Sequence, residues 1–186
     1  MRKWDKKVKT FGLGYRHCLI VDENGQLKGE GVSNSGGMGT ETYENKTWSN
    51  IRFPAKEKVK EISCGYDFSM IVAESGQLYA TGNNILTKLN IINQSKFERI
   101  DLGQAVKATK IKVGYSVMAL LLVEINGVVE LWSAGYNGKG SLGSGENITS
   151  KSIFARIAYD SATITFVDMD IYTDHAAAIT SNGELY

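Results

Sequence analysis

Few side chains in this sequence could do chemistry, and their spacing limits what that chemistry could be. There are two histidines, His17 and His175, and two cysteines, Cys18 and Cys64. No HExxH, GxSxG or Walker A sequence surrounds them, so the metal-hydrolase, serine-nucleophile and phosphate-loop patterns are absent. The cysteines are too few for a disulfide framework and fit no zinc spacing. Each lies in or beside an apolar run, HCLIV and ISCGY, where a free thiol behaves as a small buried hydrophobe. The glycine-rich stretch from Gly135 to Gly145 carries the order Gly-Lys-Gly-Ser but lacks the GxxxxGK[ST] spacing that cradles phosphate. No catalytic residue, cofactor or metal is expected, and the chain reads as a non-enzyme.

Other polar groups read as surface. Asp22, Glu23, Glu74 and Glu124 stand beside turn signals and are expected to be solvated hairpin ends. Arg2, Lys3, Lys6, Lys7 and Lys9 form a basic opening, read as a solvated terminus. The sequons at Asn45, Asn93 and Asn147 are expected to be chance occurrences in a chain rich in Asn, Ser and Thr.

The elements that position these residues must come from a globular chain. Its 186 residues include 20 glycines and one proline, with 42% hydrophobic and 22% charged residues. This composition excludes a disordered tail, a collagen and a long coiled coil. A net charge of +1 is far from the basic excess that phosphate-backbone binding uses, so no nucleic-acid partner is expected. No apolar run reaches the ~18 residues needed to span a bilayer, and no apolar h-region follows the basic opening. The expected setting is reducing and intracellular, with cytoplasm, nucleus and cilium equally compatible.

The sequence repeats. Turn glycines at Gly25, Gly76, Gly127 and Gly183 are 51, 51 and 56 residues apart, and a second glycine recurs at Gly31, Gly82 and Gly135. Each unit begins with an apolar run (Cys18 to Val21, Met70 to Val72, Met118 to Val123, Ala176 to Ile179). An Asn-Gly or Ser-Gly pair follows, then another extended segment. Asn-Gly between strand-like runs is a strong hairpin signal because both turn residues tolerate positive φ. Apolar runs without alternation indicate strands covered on both faces. Past the second glycine the third unit reads G-x-N-x-x-G-x-L-G, with relics in the first (Ser33, Met38) and second (Asn84, Leu89). Short strands are expected at Ile51 to Phe53, Phe97 to Ile100 and Phe154 to Ile157. A final strand then leads into the next unit at Val59 to Ser63, Thr109 to Val113 and Thr165 to Asp168. That gives about four strands per ~51 residues and no helix.

These residues resemble the repeat of the RCC1 (regulator of chromosome condensation) family. The third unit, from Leu131-Trp132-Ser133-Ala134-Gly135-Tyr136-Asn137 to Leu142-Gly143, is the nearest to the pattern. The resemblance runs from about Val8 to Tyr186. It departs where Phe68 replaces the repeat histidine, where the third unit carries an insertion, where Tyr172 stands for glycine, and where the family's proline survives only as Pro54. The resemblance implies an all-β, RCC1-type β-propeller, here incomplete at about three and a half four-stranded blades. The expected units are 8–58, 59–108, 109–164 and a truncated 165–186. His17 and His175 would then fix their hairpins by hydrogen bonds to nearby backbone.

A blade cannot bury its own faces and depends on neighbours. Three and a half units fall short of the smallest closed ring, so the ring is expected to be completed by further C-terminal repeats or by another chain. Trp132 falls at the family's aromatic strand position and is expected in the core. Trp48, in the variable loop Tyr43 to Asn50, stands outside the repeat pattern, so Trp48 and Tyr43 are the expected protein-binding residues. The expected function is a non-catalytic protein–protein interaction scaffold within a larger eukaryotic protein. The alternatives are guanine-nucleotide exchange on a small GTPase, the activity of the family's namesake, and a regulatory propeller of a ubiquitin ligase or kinase.

Overall fold

The computed structural model describes residues 6–54, 56–82, 95–115, 118–145, 149–160, 163–173 and 175–186. Trp4, Arg2, Lys3, Asn84, Leu89, Asn93 and Asn147 lie outside them. Every regular element described is a strand. The first sheet holds β1 (Val8–Leu13), β2 (His17–Asp22), β3 (Leu27–Val32) and β4 (Glu44–Asn50). The second holds β5 (Val59–Cys64), β6 (Phe68–Ala73), β7 (Leu78–Gly82) and β8 (Glu98–Ile100). The third holds β9 (Val106–Val113), β10 (Met118–Ile125), β11 (Val128–Tyr136) and β12 (Ser150–Arg156), and a hairpin of β13 (Phe166–Ile171) and β14 (Ala176–Thr180) follows. Spatial order equals chain order in each sheet, and all neighbours are antiparallel. A bridge from Ile179 to Leu185 begins a third strand beside β14.

The unalternating apolar runs become the second strand of each sheet, and β6 is buried at all six positions. The cause is stacking: the second and third sheets each lie between two others, so residues of both parities meet protein. The core accordingly consists of three clusters between successive sheets. Leu19, Leu27, Met38 and Ile51 of the first sheet meet Ile62, Ile71, Tyr79 and Phe97 of the second. Met70, Val72 and Leu78 meet Ile111, Leu121 and Phe154. Leu120, Leu131 and Leu142 meet Phe166, Met169 and Ala178. Each such side chain contributes about 1.5–3 kcal/mol by leaving water. The innermost strands β1, β5, β9 and β13 touch in succession, so the sheets converge on one side as wedges do.

Three expectations need correction. The fourth strand of the first sheet is Glu44–Asn50 rather than Ile51 to Phe53. The polar residues supply the ladder; Ile51 adds one last amide bond to the Leu27 carbonyl at 2.9 Å and turns its side chain into the core. The Asn-Gly turns also differ among themselves. Only the third hairpin has positive φ at both residues, Asn126 at 52° and Gly127 at 83°, closing Ile125 onto Val128. At Gly25, Gly76 and Gly183 the glycine alone is left-handed, which matches a three-residue loop ending in a glycine bulge. In the first of these, Asp22 is buried rather than solvated. Its Oδ1 accepts the amides of Asn24 and Gln26, both at 3.0 Å. Burial works to raise its pKa, but those amides and the nearby Lys28 prevail and hold the carboxyl below its usual range.

The second glycine of the first two units, Gly31 and Gly82, is fixed by close approach. Gly82 has φ of 104°, and a Cβ there would strike the Asp67 carbonyl oxygen and the Phe68 Cα on the neighbouring strand.

Candidate functional site

His17 is placed at the start of β2, on the face toward the second sheet. Its Nε2 lies 2.8 Å from Ser69 Oγ, and Ser69 Oγ lies 2.6 Å from the Gly37 carbonyl oxygen. A carbonyl only accepts, so the single hydroxyl hydrogen of Ser69 goes to Gly37 and His17 donates from Nε2. Nδ1 is then an unprotonated nitrogen, buried and without a partner. Burial lowers the imidazole pKa to about 4, against the attraction of Asp67. The histidine therefore ties two sheets together through a side chain, not its own hairpin to nearby backbone as the sequence suggested. His175, at the equivalent place before β14, is exposed, because no following sheet lies against it among the described residues. The two histidines do not converge.

The tyrosines that follow Gly14, Gly65 and Gly114, just ahead of the second strand of the first three sheets, do converge. Tyr15 and Tyr66 stack with centroids 4.7 Å apart, and Tyr115 meets them edge-on at 5.6 and 5.0 Å. All three are exposed. The Tyr15 amide donates to the Gly65 carbonyl of the next sheet, and the Tyr115 amide to that of Tyr172. Tyr172 thus occupies the place of the glycine in the fourth unit. A cavity of about 570 Å³ lies along these inner strands, lined by Ser63, Lys112, Tyr115, Asp170 and Tyr172 among others. The inner strands are laced across it: Glu61 accepts the Ile111 amide and Ser63 the Val113 amide, both at 3.0 Å. Among the described residues no group of three or more His, Cys, Asp or Glu is placed to hold a metal ion. The sequence showed each Gly-Tyr pair, but only stacking of the units reveals that the rings touch.

Trp48 is not in a loop. It is half-buried in β4, and its register shows what it is. Asn50 pairs with Lys28, Arg99 with Tyr79 and Arg156 with Trp132, so Trp48, Phe97 and Phe154 are equivalent, each three residues before an isoleucine. Phe97 and Phe154 insert into the preceding sheet. Trp48 belongs to the repeat pattern, contrary to the sequence reading, and faces the side of the first sheet where no described sheet precedes. Phe11 and Leu13 share that side at 62% and 66% exposure, whereas their equivalents Ile62, Ile111 and Met169 and Cys64, Val113 and Ile171 are at most 8% exposed. Tyr43 is exposed at the end of the β3–β4 connection, in a polar cleft with Ser33 and Glu41. Trp132 packs against the core between the second and third sheets, as expected.

Wedge-like four-stranded antiparallel sheets, packed face to face with their first strands innermost, define a segment of a β-propeller. Human WBSCR16 superposes with a TM-score of 0.82 at 19% identity, over 98% of this chain and 48% of that one. Prp20p from Saccharomyces cerevisiae superposes with 0.77 at 16%, over 92% and 43%. Residues 59–85 match the family described as the regulator of chromosome condensation (RCC1) repeat, and the chain as a whole resembles proteins built from such repeats. It is 25% identical to the Secretion-regulating guanine nucleotide exchange factor of Mus musculus over 96% of its length, covering 40% of the relative. It is 30% identical to the X-linked retinitis pigmentosa GTPase regulator of Homo sapiens over 106 residues, which is 54% of this chain and 10% of that protein. The chain thus spans about 40% of the length of the first of these relatives. No helix among the described residues is long and apolar enough to cross a membrane.

Proposed function

We propose that the chain is a non-catalytic, intracellular scaffold that engages protein partners through the open face of its first blade. The observation that carries this reading is the exposure of Phe11 and Leu13 at positions buried in every other blade. Apolar side chains in such a row mark an interaction surface, and Trp48 lies on the same side as a large aromatic anchor of the kind that dominates interfaces. Tyr43, exposed in a separate polar cleft with Ser33 and Glu41, is a second contact residue in this reading. The partner presents an apolar surface, another blade or a protein of similar relief.

Guanine-nucleotide exchange on a small GTPase is the second reading. It is favoured by the likeness to an exchange factor over 96% of the chain and by the shared fold with Prp20p, for which binding to Gsp1p and histones is described. Photo-cross-linking separates the two. A photoreactive residue at position 11 or 13 should capture protein, whereas one at Ile153, equally exposed on the outer strand of the third blade, should not. Equal capture at all three positions contradicts the scaffold face. Accelerated nucleotide release from any of a panel of small GTPases moves the function to exchange.

A further inference from the structure

Two of the clustered tyrosines meet face to face, and glycine is what lets them do so. The turns after β1 and β5 approach at Gly14 and Gly65, where a Cβ on Gly14 would lie 2.7 Å from the Gly65 carbonyl oxygen. That carbonyl accepts the Tyr15 amide at 3.1 Å, so the residues that follow the two glycines are held side by side. Tyr15 and Tyr66 consequently stack, with their planes only 18° apart and their centroids at 4.7 Å. Tyr115 stands across both, at 84° to Tyr15 and 69° to Tyr66. The stacked rings are exposed and can be reached from solvent. Tyr79, Tyr159 and Tyr186 instead meet phenylalanine rings.

We infer that Tyr15 and Tyr66 form an oxidative coupling site, at which a one-electron oxidant of the haem-peroxidase class, supplied with hydrogen peroxide, joins the two side chains as dityrosine. Each phenol gives up one electron and its hydroxyl proton and becomes a phenoxyl radical, whose unpaired spin is shared with the ring carbons ortho to oxygen. A carbon–carbon bond then forms between one ortho carbon of each ring. The hydrogen on each of those carbons leaves as a proton while the ring's oxygen takes one up, which restores both aromatic rings. Two electrons and two protons are released in all, and they reduce one hydrogen peroxide to two waters. The spin lies in the π system, so coupling requires ring faces to overlap. The nearly parallel Tyr15–Tyr66 pair meets that requirement, whereas Tyr115 stands edge-on and offers its neighbours no such overlap. The new bond ties the first sheet to the second as a disulfide ties distant positions, but thiols do not reverse it. No partner protein takes part, so the outcome is independent of the scaffold reading.

The 186-residue chain is treated with peroxidase and hydrogen peroxide at low protein concentration, digested with trypsin and sequenced by tandem mass spectrometry. The expected product is peptide 10–16 joined to peptide 61–88, two hydrogens lighter than the separate pair, with fragment ions placing the bond at Tyr15 and Tyr66. The modified chain should still migrate as a monomer, and its yield should not change on dilution. Tyr15→Phe and Tyr66→Phe, which keep the ring and remove the phenol, should each abolish the product, while Tyr115→Phe should leave it intact. A larger amount of coupling through Tyr43, Tyr115 or Tyr136, or a product between chains that grows with concentration, overturns the inference. So does an absence of coupling while free tyrosine in the same reaction dimerises.

Discussion

At the scale of single residues, His17 shows how stacking changes the meaning of a side chain. An imidazole beside a glycine turn could have served as a local clamp; instead it spans two blades and is held neutral by burial, with its pKa near 4. The unfolded chain binds a proton at about 6.5, so between pH 6.5 and 4 the unfolded state carries more protons than the folded one, and stability falls as pH falls. The full effect is roughly 3 kcal/mol, lost progressively through that window and constant below it. Urea midpoints measured from pH 7 to pH 4 should show this slope, and His17→Gln should flatten it. An unchanged slope in the variant would contradict this assignment, because Asp22, its carboxyl held below the usual range, loses its contribution only at lower pH.

At the scale of strands and turns, two kinds of glycine carry different loads. Gly127 has φ of 83° and no atom within 4 Å of its hypothetical Cβ, whereas Gly82 combines φ of 104° with a backbone collision. Replacing Gly127 by alanine should cost about 1 kcal/mol, the strain of a left-handed alanine. Replacing Gly82 should cost about 3 kcal/mol or more, because two strands must also separate. Thermal unfolding of the two variants, compared with the parent, checks the ordering.

Much of this scale was legible in the sequence. The glycine period and unalternating apolar runs are local signals, and they placed β2, β6, β10 and β14 and their turns. The outer strands were harder, because they are polar and short and take their register from the strand beside them. Putting a strand at Ile51 to Phe53 hid the fact that Trp48 stands three residues before Ile51 as Phe97 stands before Ile100, and so Trp48 read as an outsider. The spacing from aromatic to isoleucine was the signal that could have found it. The tyrosine cluster was beyond local pattern, since it arises only where residues about fifty positions apart are brought side by side.

At the scale of the whole molecule, one repeat position carries opposite burdens along the chain. Inner-strand apolar residues are closed off in three blades and open in the first. The central claim is that each blade's stability comes from its neighbour's face. Phe11→Ala, Ile62→Ala and Ile111→Ala test it most directly, by urea denaturation of three truncations at one equivalent position. The predicted result is a loss of about 2–4 kcal/mol at Ile62 and at Ile111, as for buried large-to-small changes, and under about 1 kcal/mol at Phe11. Equal losses at all three, or the largest at Phe11, would contradict it.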